Sequence, residues 1–363
     1  MIFPSKDIIG LDIGNYAVKV VCLAEDKKAI TLKDWGYIPL SIKADTPPEE
    51  KKELISQEIR HYLKKKNIQA RYAAASISGN SVIVRYVKLP RLSRKELALT
   101  INVEAEPFIP FDIKDVNLTY YILNDTSDNG EPKMDTVLVA AKRDAVQDKI
   151  DIIAGAGLEP LIIDVDSFAL ETLYERISPK GEVNNAVLLL NIGQKVTNLS
   201  IVAGGVTRVV RDIFIAGATF DKAIGKALKT DPAGADAAKK NRSVLVSDEE
   251  KTAAIGAFDK ESIAVSKAAS GVLKDLYTEV SRSIDFYLSQ GVDHSISKII
   301  LSGGMSNLGN ITRFLSAEFK VPVEVMNPLG FLPEIPKNMP EDVLPALAVA
   351  SGLALRKLKD WEE

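Results

Sequence analysis

The sequence predicts an α/β protein of two related lobes, with a small α+β unit set into the first, and three stretches carry the prediction. In residues 8–21 an apolar run, Ile8-Ile9-Gly10-Leu11, enters a turn at Asp12-Ile13-Gly14-Asn15. A second, β-branched run leaves it, the pattern of two strands joined by a tight hairpin. Residues 188–202 repeat the design: an apolar strand, a polar residue at Asn191, Gly193 two places on, and another strand. Residues 298–307 are a buried strand that runs into Gly303-Gly304. Two copies of one hairpin imply two pseudo-equivalent halves that clamp one phosphate chain between them.

The turns offer chemistry as well as shape. Gly14 lets its backbone N–H approach an anion closely. Asp12 is placed to hold a divalent cation through water, and Lys19, on the outgoing strand, to reach back toward phosphate oxygens. Each piece alone is also the ordinary make-up of a buried hairpin, and the second copy is what favours the phosphate reading. The paired glycines at 303 and 304 allow a flat ring to lie against bare backbone.

Taken in order, residues 29–38 read as a further strand with Trp35 as a packing residue, and Thr46-Pro47-Pro48-Glu49-Glu50 opens a helix over about 49–66. Its Lys64-Lys65-Lys66 end suits the negative pole of the helix dipole. Strands over 73–78 and 81–88 precede a capping box, Ser93 with Glu96, that opens a helix to about residue 106. Strands over 117–123 and 136–141 flank a polar loop over 124–133, and a helix over about 144–156 closes a small α+β unit. Asp164 and Asp166 lie two apart, which in a strand turns both carboxylates into one cleft; capping near Ser167 is the equal alternative. Beyond the second hairpin come a Gly204-Gly205 turn, a strand over 206–213 and a helix beginning at Gly217. An Ala- and Lys-rich helical tract over 231–259 reads as a mobile outer subdomain. A long helix over about 265–290 carries Val272, Leu276, Val280, Ile284 and Leu288 at helical spacing, a stripe that core packing explains. Helices over 311–319 and 345–355 complete the chain.

Composition narrows the function classes. A chain of 363 residues has room for two or more domains with sizeable cores, and 46% hydrophobic with 26% charged content is that of a globular protein. A net charge of −3 gives no general footprint for nucleic acid or an anionic membrane. The single cysteine, Cys22, lies in an apolar strand as a small core residue, so no intramolecular disulfide forms. His61 and His294 are far apart in polar surroundings, which supports neither a zinc site nor a histidine-based triad. With no signal-peptide pattern and no apolar segment near the roughly 18 residues that span a bilayer, the expected location is cytoplasmic.

The two hairpins and the strand-Gly-Gly turn, in this order, resemble the superfamily of actin, the heat-shock ATPases and the sugar kinases. The inserted unit sits where the division protein FtsA and the type IV pilus assembly PilM family carry one. The PilM family is the closer resemblance, through Val87-Lys88-Leu89-Pro90, Glu96-Leu97, Glu104-Ala105-Glu106-Pro107-Phe108-Ile109-Pro110-Phe111, Val139-Ala140-Ala141-Lys142, Gly157-Leu158-Glu159-Pro160 and Ile163-Asp164-Val165-Asp166-Ser167-Phe168-Ala169. What the resemblance implies is an actin-like (ribonuclease H-like) two-lobed ATPase fold with an inserted FtsA-type α+β subdomain. Its expected limits are 1–72 for the first part of lobe 1, 73–158 for the insert, 159–186 for lobe 1 continued, 187–335 for lobe 2 with an outer subdomain at about 221–265, and 336–363 for a helix returning to lobe 1.

The resemblance further implies ATP and Mg²⁺ between the lobes. Gly14, Asn15, Gly193 and Gln194 would cradle phosphates, Lys19 would pair with phosphate oxygens, and Thr197 would add a hydroxyl. Asp12 would orient metal-bound water, Gly303, Gly304 and Met305 would line the adenine pocket, Asp236 and Lys239 would reach the ribose and base, and Asp166 is the candidate catalytic carboxylate. Asn191 departs from the aspartate that normally opens the second hairpin, and an asparagine neither carries negative charge nor acts as a base near neutral pH, so ATP binding with slow or absent hydrolysis is expected. The implied function is a scaffold of type IV pilus assembly, peripheral at the cytoplasmic face of the inner membrane. A groove beside the insert would hold the cytoplasmic N-terminal segment of a PilN-like bitopic inner-membrane protein, with the pilus motor ATPases as further partners. Nucleic acid is not an expected partner, membrane contact is expected only through partners, and a homo-oligomer stays open in a fold related to actin. The alternatives are an FtsA-like cell-division tether, disfavoured because the sequence shows no terminal amphipathic helix, a type II secretion scaffold, and a small-molecule kinase of the same superfamily.

Overall fold

The structure is a computed structural model, and it describes residues 8–25, 30–43, 45–178, 185–290, 295–336 and 338–356. His294 and residues 357–363 lie outside the described residues, and His61 is exposed. The first hairpin forms as expected, with β1 (Ile8–Ile13) antiparallel to β2 (Ala17–Glu25) and β2 antiparallel to β3 (Ile30–Pro39). Helix α1 (Pro48–Lys65) starts on Pro48, whose missing N–H costs nothing in the first turn, with Glu49 and Glu50 at the positive pole and Lys64 and Lys65 at the negative one.

Strand β4 (Tyr72–Ile77) runs parallel beside β1, so within the stretch 73–158 this strand is part of the first-lobe sheet. A separate three-stranded sheet follows, built with β5 (Val82–Pro90), helix α2 (Arg94–Ala105), β6 (Val116–Asp128) and β7 (Glu131–Lys142) in the order β5-β7-β6. The capping box forms at Ser93, whose side chain accepts from the Glu96 N–H while the Glu96 carboxylate accepts from the Ser93 N–H. Leu89, Leu97, Ile101, Ala105, Met134 and Leu138 make a small core of their own. The polar stretch 124–133 is not a loop. β6 and β7 stay paired through it, and Asn129 (φ 49°) and Gly130 (φ 85°) close the hairpin with the two positive φ angles that an Asn-Gly turn supplies. Helix α3 (Arg143–Gly155) returns to the first lobe, packing Ile152 and Ile153 with Ile55 and Ile59 of α1, and β8 (Glu159–Val165) leads into α4 (Asp166–Ile177).

The second lobe repeats the first. Strands β9 (Ala186–Ile192), β10 (Thr197–Ala203) and β11 (Val206–Ile213) form an antiparallel meander, followed by helices α5 (Gly217–Leu228), α6 (Pro232–Asn241), α7 (Asp248–Gly256) and α8 (Lys260–Ser289). Then come β12 (Ile296–Ser302), α9 (Ile311–Phe319), β13 (Val323–Val325) and α10 (Ala348–Ala354). The sheet orders are β3-β2-β1-β4-β8 and β11-β10-β9-β12-β13, the same topology with the same antiparallel and parallel neighbours. On α8, Val272, Leu276 and Val280 are buried as the stripe requires, while Leu288, at the helix end, is exposed.

Helices α4 and α10 lie between the sheets and share a core with both, Ala169, Leu170, Leu173, Val349 and Leu353 packing against Ile8 and Ala74 on one side and Val187, Leu189 and Ile300 on the other. Small residues set the spacing. A Cβ at Gly352 would fall 1.9 Å from the Ala169 carbonyl oxygen, and one at Gly10 would fall 2.0 Å from that of Ala350.

Candidate functional site

A cleft of about 950 Å³ opens between the lobes, bounded by the turn of each hairpin, by α1, α3 and α6, and by the glycines after β12. Of the residues expected at a nucleotide site, Asp12, Gly14, Asn15, Lys19, Asp166, Asn191, Gly193, Gln194, Asp236, Lys239, Gly303, Gly304 and Met305 line it. Thr197 does not. Its side chain is wholly buried at the start of β10, and its hydroxyl donates to the Ile215 carbonyl at 2.7 Å.

On the first lobe, Asp12 and Lys19 are register partners across β1 and β2, and their side chains meet at 2.7 Å. A Cβ at Gly14 would stand 2.9 Å from Lys19 Nζ, so glycine keeps the space above that ammonium open. Asp166 heads α4, close to Asp12, and accepts from the Ser76 hydroxyl at 2.5 Å. Loss of hydration, reinforced by the Asp12 charge and opposed by the Ser76 and Ser78 hydroxyls, pushes its carboxyl from 3.8 up to about 6. That range suits a group that takes and releases a proton near neutrality. Asp164 has a different role: β8 ends at Val165, so the two carboxylates do not share a strand face, and Asp164 is buried against Arg356, its Oδ2 accepting from Nε at 2.6 Å.

On the second lobe, the Gly193 N–H donates to the Val196 carbonyl at 3.0 Å, so this N–H is spent on the turn itself. The Gly193 and Gln194 carbonyls accept from the N–H groups of Gly217 and Ala218 at 2.9 and 2.8 Å, tying the turn to the start of α5, and the Gln194 amide donates to Asp221 at 2.9 Å. Asn191 is held on both sides: its Oδ1 accepts from Ser302 at 3.1 Å and its Nδ2 donates to Asn198 at 2.8 Å. Asn198 in turn donates to Asp212 at 2.8 Å, and Asp212 accepts from the Gly79 N–H of the first lobe. Burial raises the Asp212 carboxyl above the ordinary range.

The far side of the cleft is apolar backbone and a polar clasp. Gly303 has φ 85°, and a Cβ there would lie 2.5 Å from the Ile192 carbonyl oxygen, while nothing lies within 4 Å of a Cβ at Gly304. The pair leaves a flat patch of main chain beside the buried Met305. Opposite, the Tyr16 hydroxyl donates to Asp236 at 2.9 Å and accepts from Lys240 at 2.7 Å, with the Lys240 ammonium 5.1 Å from the Tyr16 ring centre. Lys239 pairs with Asp236 at 3.0 Å and with Asp221. Burial pushes the nearby Tyr37 hydroxyl up to about 12, keeping it a neutral donor.

Sequence reasoning passed over Tyr16, Tyr37, Lys51, Ser76, Lys149 and Lys195 as site residues, all of which line the cleft. Tyr16 stands inside the first turn and Lys195 inside the second, which is a local signal; the rest are brought in from β3, α1, β4 and α3 only by the fold. Among the described residues no group of three or more His, Cys, Asp or Glu side chains is arranged to hold a metal ion. No helix among them is long and apolar enough to cross a membrane.

Comparison with known proteins bears on the family and the fold. The family model for the type IV pilus assembly protein PilM matches residues 10–263 and 266–358. A solved "PilM-PilN type IV pilus biogenesis complex" contains a chain similar at TM-score 0.80 and 28% identity, over 97% of this chain and 99% of that one. The ethanolamine utilization protein EutJ of Carboxydothermus hydrogenoformans is similar at TM-score 0.53 and 14% identity, over 97% of this chain and 90% of that one. MreB5 of Spiroplasma citri, solved bound to ADP, is similar at TM-score 0.50 and 12% identity, over 96% of this chain and 94% of that one. The last two likenesses concern the actin-like fold alone.

Proposed function

The chain belongs to the type IV pilus assembly protein PilM family, and from that membership we propose that it is a scaffold of pilus assembly that closes on ATP and carries a membrane protein at the cytoplasmic face of the inner membrane. The observation that carries the nucleotide part is the cleft. Two like hairpins face each other across it, with Asp12, Lys19 and Gly14 on one side and the Gly303-Gly304 patch at one end. Its volume of about 950 Å³ lies in the range of small-molecule and cofactor sites.

The residues fit ATP with Mg²⁺. Lys19 and the backbone of Gly14 and Asn15 would hold phosphates, Gly303, Gly304 and Met305 the adenine, and Asp236 and Lys239 would approach the ribose. Asp12 would bind Mg²⁺ through water, together with the phosphate oxygens, since Mg²⁺ commonly relies on one or two carboxylates and its own waters. Bound Mg²⁺ supplies charge neutralisation between phosphates. Thr197 contributes to folding, not to the ligand, because Ile215 already takes its hydroxyl hydrogen.

Turnover is slow in this reading. Asn191 is fixed between Ser302 and Asn198 and brings no carboxylate, which leaves Asp166 as the group able to accept a proton from water. The nucleotide then acts by favouring one arrangement of the lobes, a population shift. The partner is the cytoplasmic N-terminal segment of a PilN-like inner-membrane protein, held beside the inserted unit, with the pilus motor ATPases and a second copy of the chain as further candidates.

Isothermal titration of the full chain with ATP and Mg²⁺, followed by anisotropy of a labelled peptide carrying that N-terminal segment, tests both halves of the reading. We expect saturable ATP binding, peptide binding that changes when ATP is present, and turnover well below that of actin-like motors. Absence of ATP binding at millimolar concentration would overturn the nucleotide half, and a peptide that binds neither with nor without ATP would overturn the partner half.

A further inference from the structure

The cleft does not end at the hairpin turns. Its wall continues onto the facing sides of α1 and α3, and three lysines converge there from three different elements: Lys51 on α1, Lys149 on α3 and Lys195 in the turn between β9 and β10. Lys51 and Lys149 belong to the first lobe and Lys195 to the second, so the cluster spans the opening.

What separates these three from their neighbours is the lack of a direct ion pair. Their neighbours are paired: Lys19 with Asp12 at 2.7 Å, and Lys52 with Glu49 and with Asp148, each at 2.9 Å. Among the described residues, no carboxylate lies within ion-pair distance of Lys51, Lys149 or Lys195. The Lys149 ammonium donates to the Ile13 carbonyl at 2.8 Å, which uses one of its three N–H bonds, and the residue lines the cleft. Burial lowers the Lys149 ammonium from its usual range despite the nearby Asp166 and Asp12 charges, and burial together with the Lys195 charge does the same to Lys51.

A wall of unpaired, partly dehydrated cations that meets another cation across a cleft is unfavourable until an anion sits between them. Lysine ammoniums act as point charges that suit the oxygens of a phosphate, and a single group touching all three would tie α1 and α3 to the second lobe. We infer that this end of the cleft is a subsite for a phosphate group, held by Lys51, Lys149 and Lys195, and supplied either by the terminal phosphate of a bound nucleoside triphosphate or by free orthophosphate. The first source rests on the nucleotide reading above; the second stands without it. Asp12 is paired with Lys19 at 2.7 Å, while Asp166, whose charge reaches Lys149, opposes the ligand once it ionises, so phosphate binding weakens as pH rises through about 6. The subsite makes the lobes respond to the number of phosphates, with ATP bridging them and ADP leaving Lys51 and Lys195 to repel.

The test is calorimetric titration of the full chain with ATP, ADP and orthophosphate, for the wild type, Lys51→Gln and Lys195→Gln, with Lys65→Gln at the exposed end of α1 as a control. Both cleft variants alter water-accessible side chains and leave the core intact. We expect each to reduce the ATP-to-ADP affinity ratio by about tenfold while the ADP affinity stays unchanged, the size of one charge-assisted contact. We also expect orthophosphate to bind the ADP complex of the wild type and of Lys65→Gln but not of the cleft variants. An unchanged ratio in both cleft variants overturns the subsite while leaving nucleotide binding in place. If neither nucleotide binds, orthophosphate binding that both variants abolish sustains the subsite and overturns the nucleotide reading; no orthophosphate binding overturns both.

Discussion

Replacing Asp166 by asparagine should make the protein more stable at high pH and leave it unchanged at low pH. The Asp166 carboxyl is raised from 3.8 to about 6, first by loss of hydration and then by the Asp12 charge. In a wholly dry site that rise would cost about 3 kcal/mol, at 1.36 kcal/mol for each factor of ten in proton affinity. Asp166 borders an open cleft, and water on one side of the carboxylate reduces this to about 1–2 kcal/mol. The direction follows from proton linkage. Below pH 3.8 the group is protonated in both folded and unfolded chains and the cost is absent. Between 3.8 and 6 the folded chain holds a proton that the unfolded chain has released, so stability declines as pH rises, and above 6 the full cost is present. Asparagine keeps an oxygen for the Ser76 hydroxyl and removes the charge. With an unfolding entropy of about 2.1 cal/mol/K per residue, a gain of about 1–2 kcal/mol corresponds to a Tm increase of about 1–3 °C. Scanning calorimetry of both proteins at pH 8 and pH 4 reads it directly. No gain at pH 8, or an equal gain at both pH values, would refute the claim that Asp166 is held ionised against its surroundings.

Arg356→Met strands the buried Asp164, and unfolding by denaturant at pH 7 should show a loss of about 3–5 kcal/mol, most of it restored by adding Asp164→Asn. Asn191→Asp sets a carboxylate against the Asn198 carbonyl oxygen, costing about 2–3 kcal/mol at pH 8 and less at pH 5 where the new group takes up a proton. The same variant should raise Mg²⁺-dependent ATP turnover in a phosphate-release assay, and an unchanged rate would count against the role given to Asn191. Gly352→Ala drives a methyl into the Ala169 carbonyl where α4 and α10 cross, and its melting temperature should fall by several degrees, whereas Gly256→Ala, with open space around it, should show no such fall.

The fold was legible because its decisive signals are local. Gly14 and Gly193 sit in turns between strands that each read as apolar or β-branched, so the two hairpins, and the repeat they form, needed no tertiary information. The same holds for the capping box at Ser93 and the Gly303-Gly304 turn. Where the reading went astray, a short-range rule was misapplied. The run 124–133 is polar because consecutive residues there, Asn124 with Asp125 and Ser127 with Asp128, are exposed, so the ribbon meets solvent on both faces, and its Asn129-Gly130 pair marks a hairpin tip that polarity alone concealed. Asp164 and Asp166 separate because the strand ends between them, and a boundary of one residue decides which of them reaches the cleft. The lysines were out of reach for another reason. Lys51, Lys149 and Lys195 lie on three elements far apart in sequence, and no periodicity within any one element singles them out.

The polar contacts across the cleft suggest how a ligand would act. Tyr16 reaches Asp236 and Lys240 at one place, and the Gly79 N–H reaches Asp212 at another, so the lobes are joined even where no ligand bridges them. These contacts are short polar bonds, worth about 0.5–1.5 kcal/mol each when neutral and up to about 3 when charged. Against them stands the unpaired facing charge of Lys51 and Lys195. A phosphate bound between the two lysines would replace that repulsion by two contacts and so favour the arrangement in which the lobes approach. Helices α4 and α10 pack on each other at Gly352, and α10 packs on β1 at Gly10, both at backbone distance, so they form the rigid link between the two sheets through which such a shift would pass. A scaffold built this way needs no bond cleavage to signal, only a ligand whose affinity differs between the two arrangements.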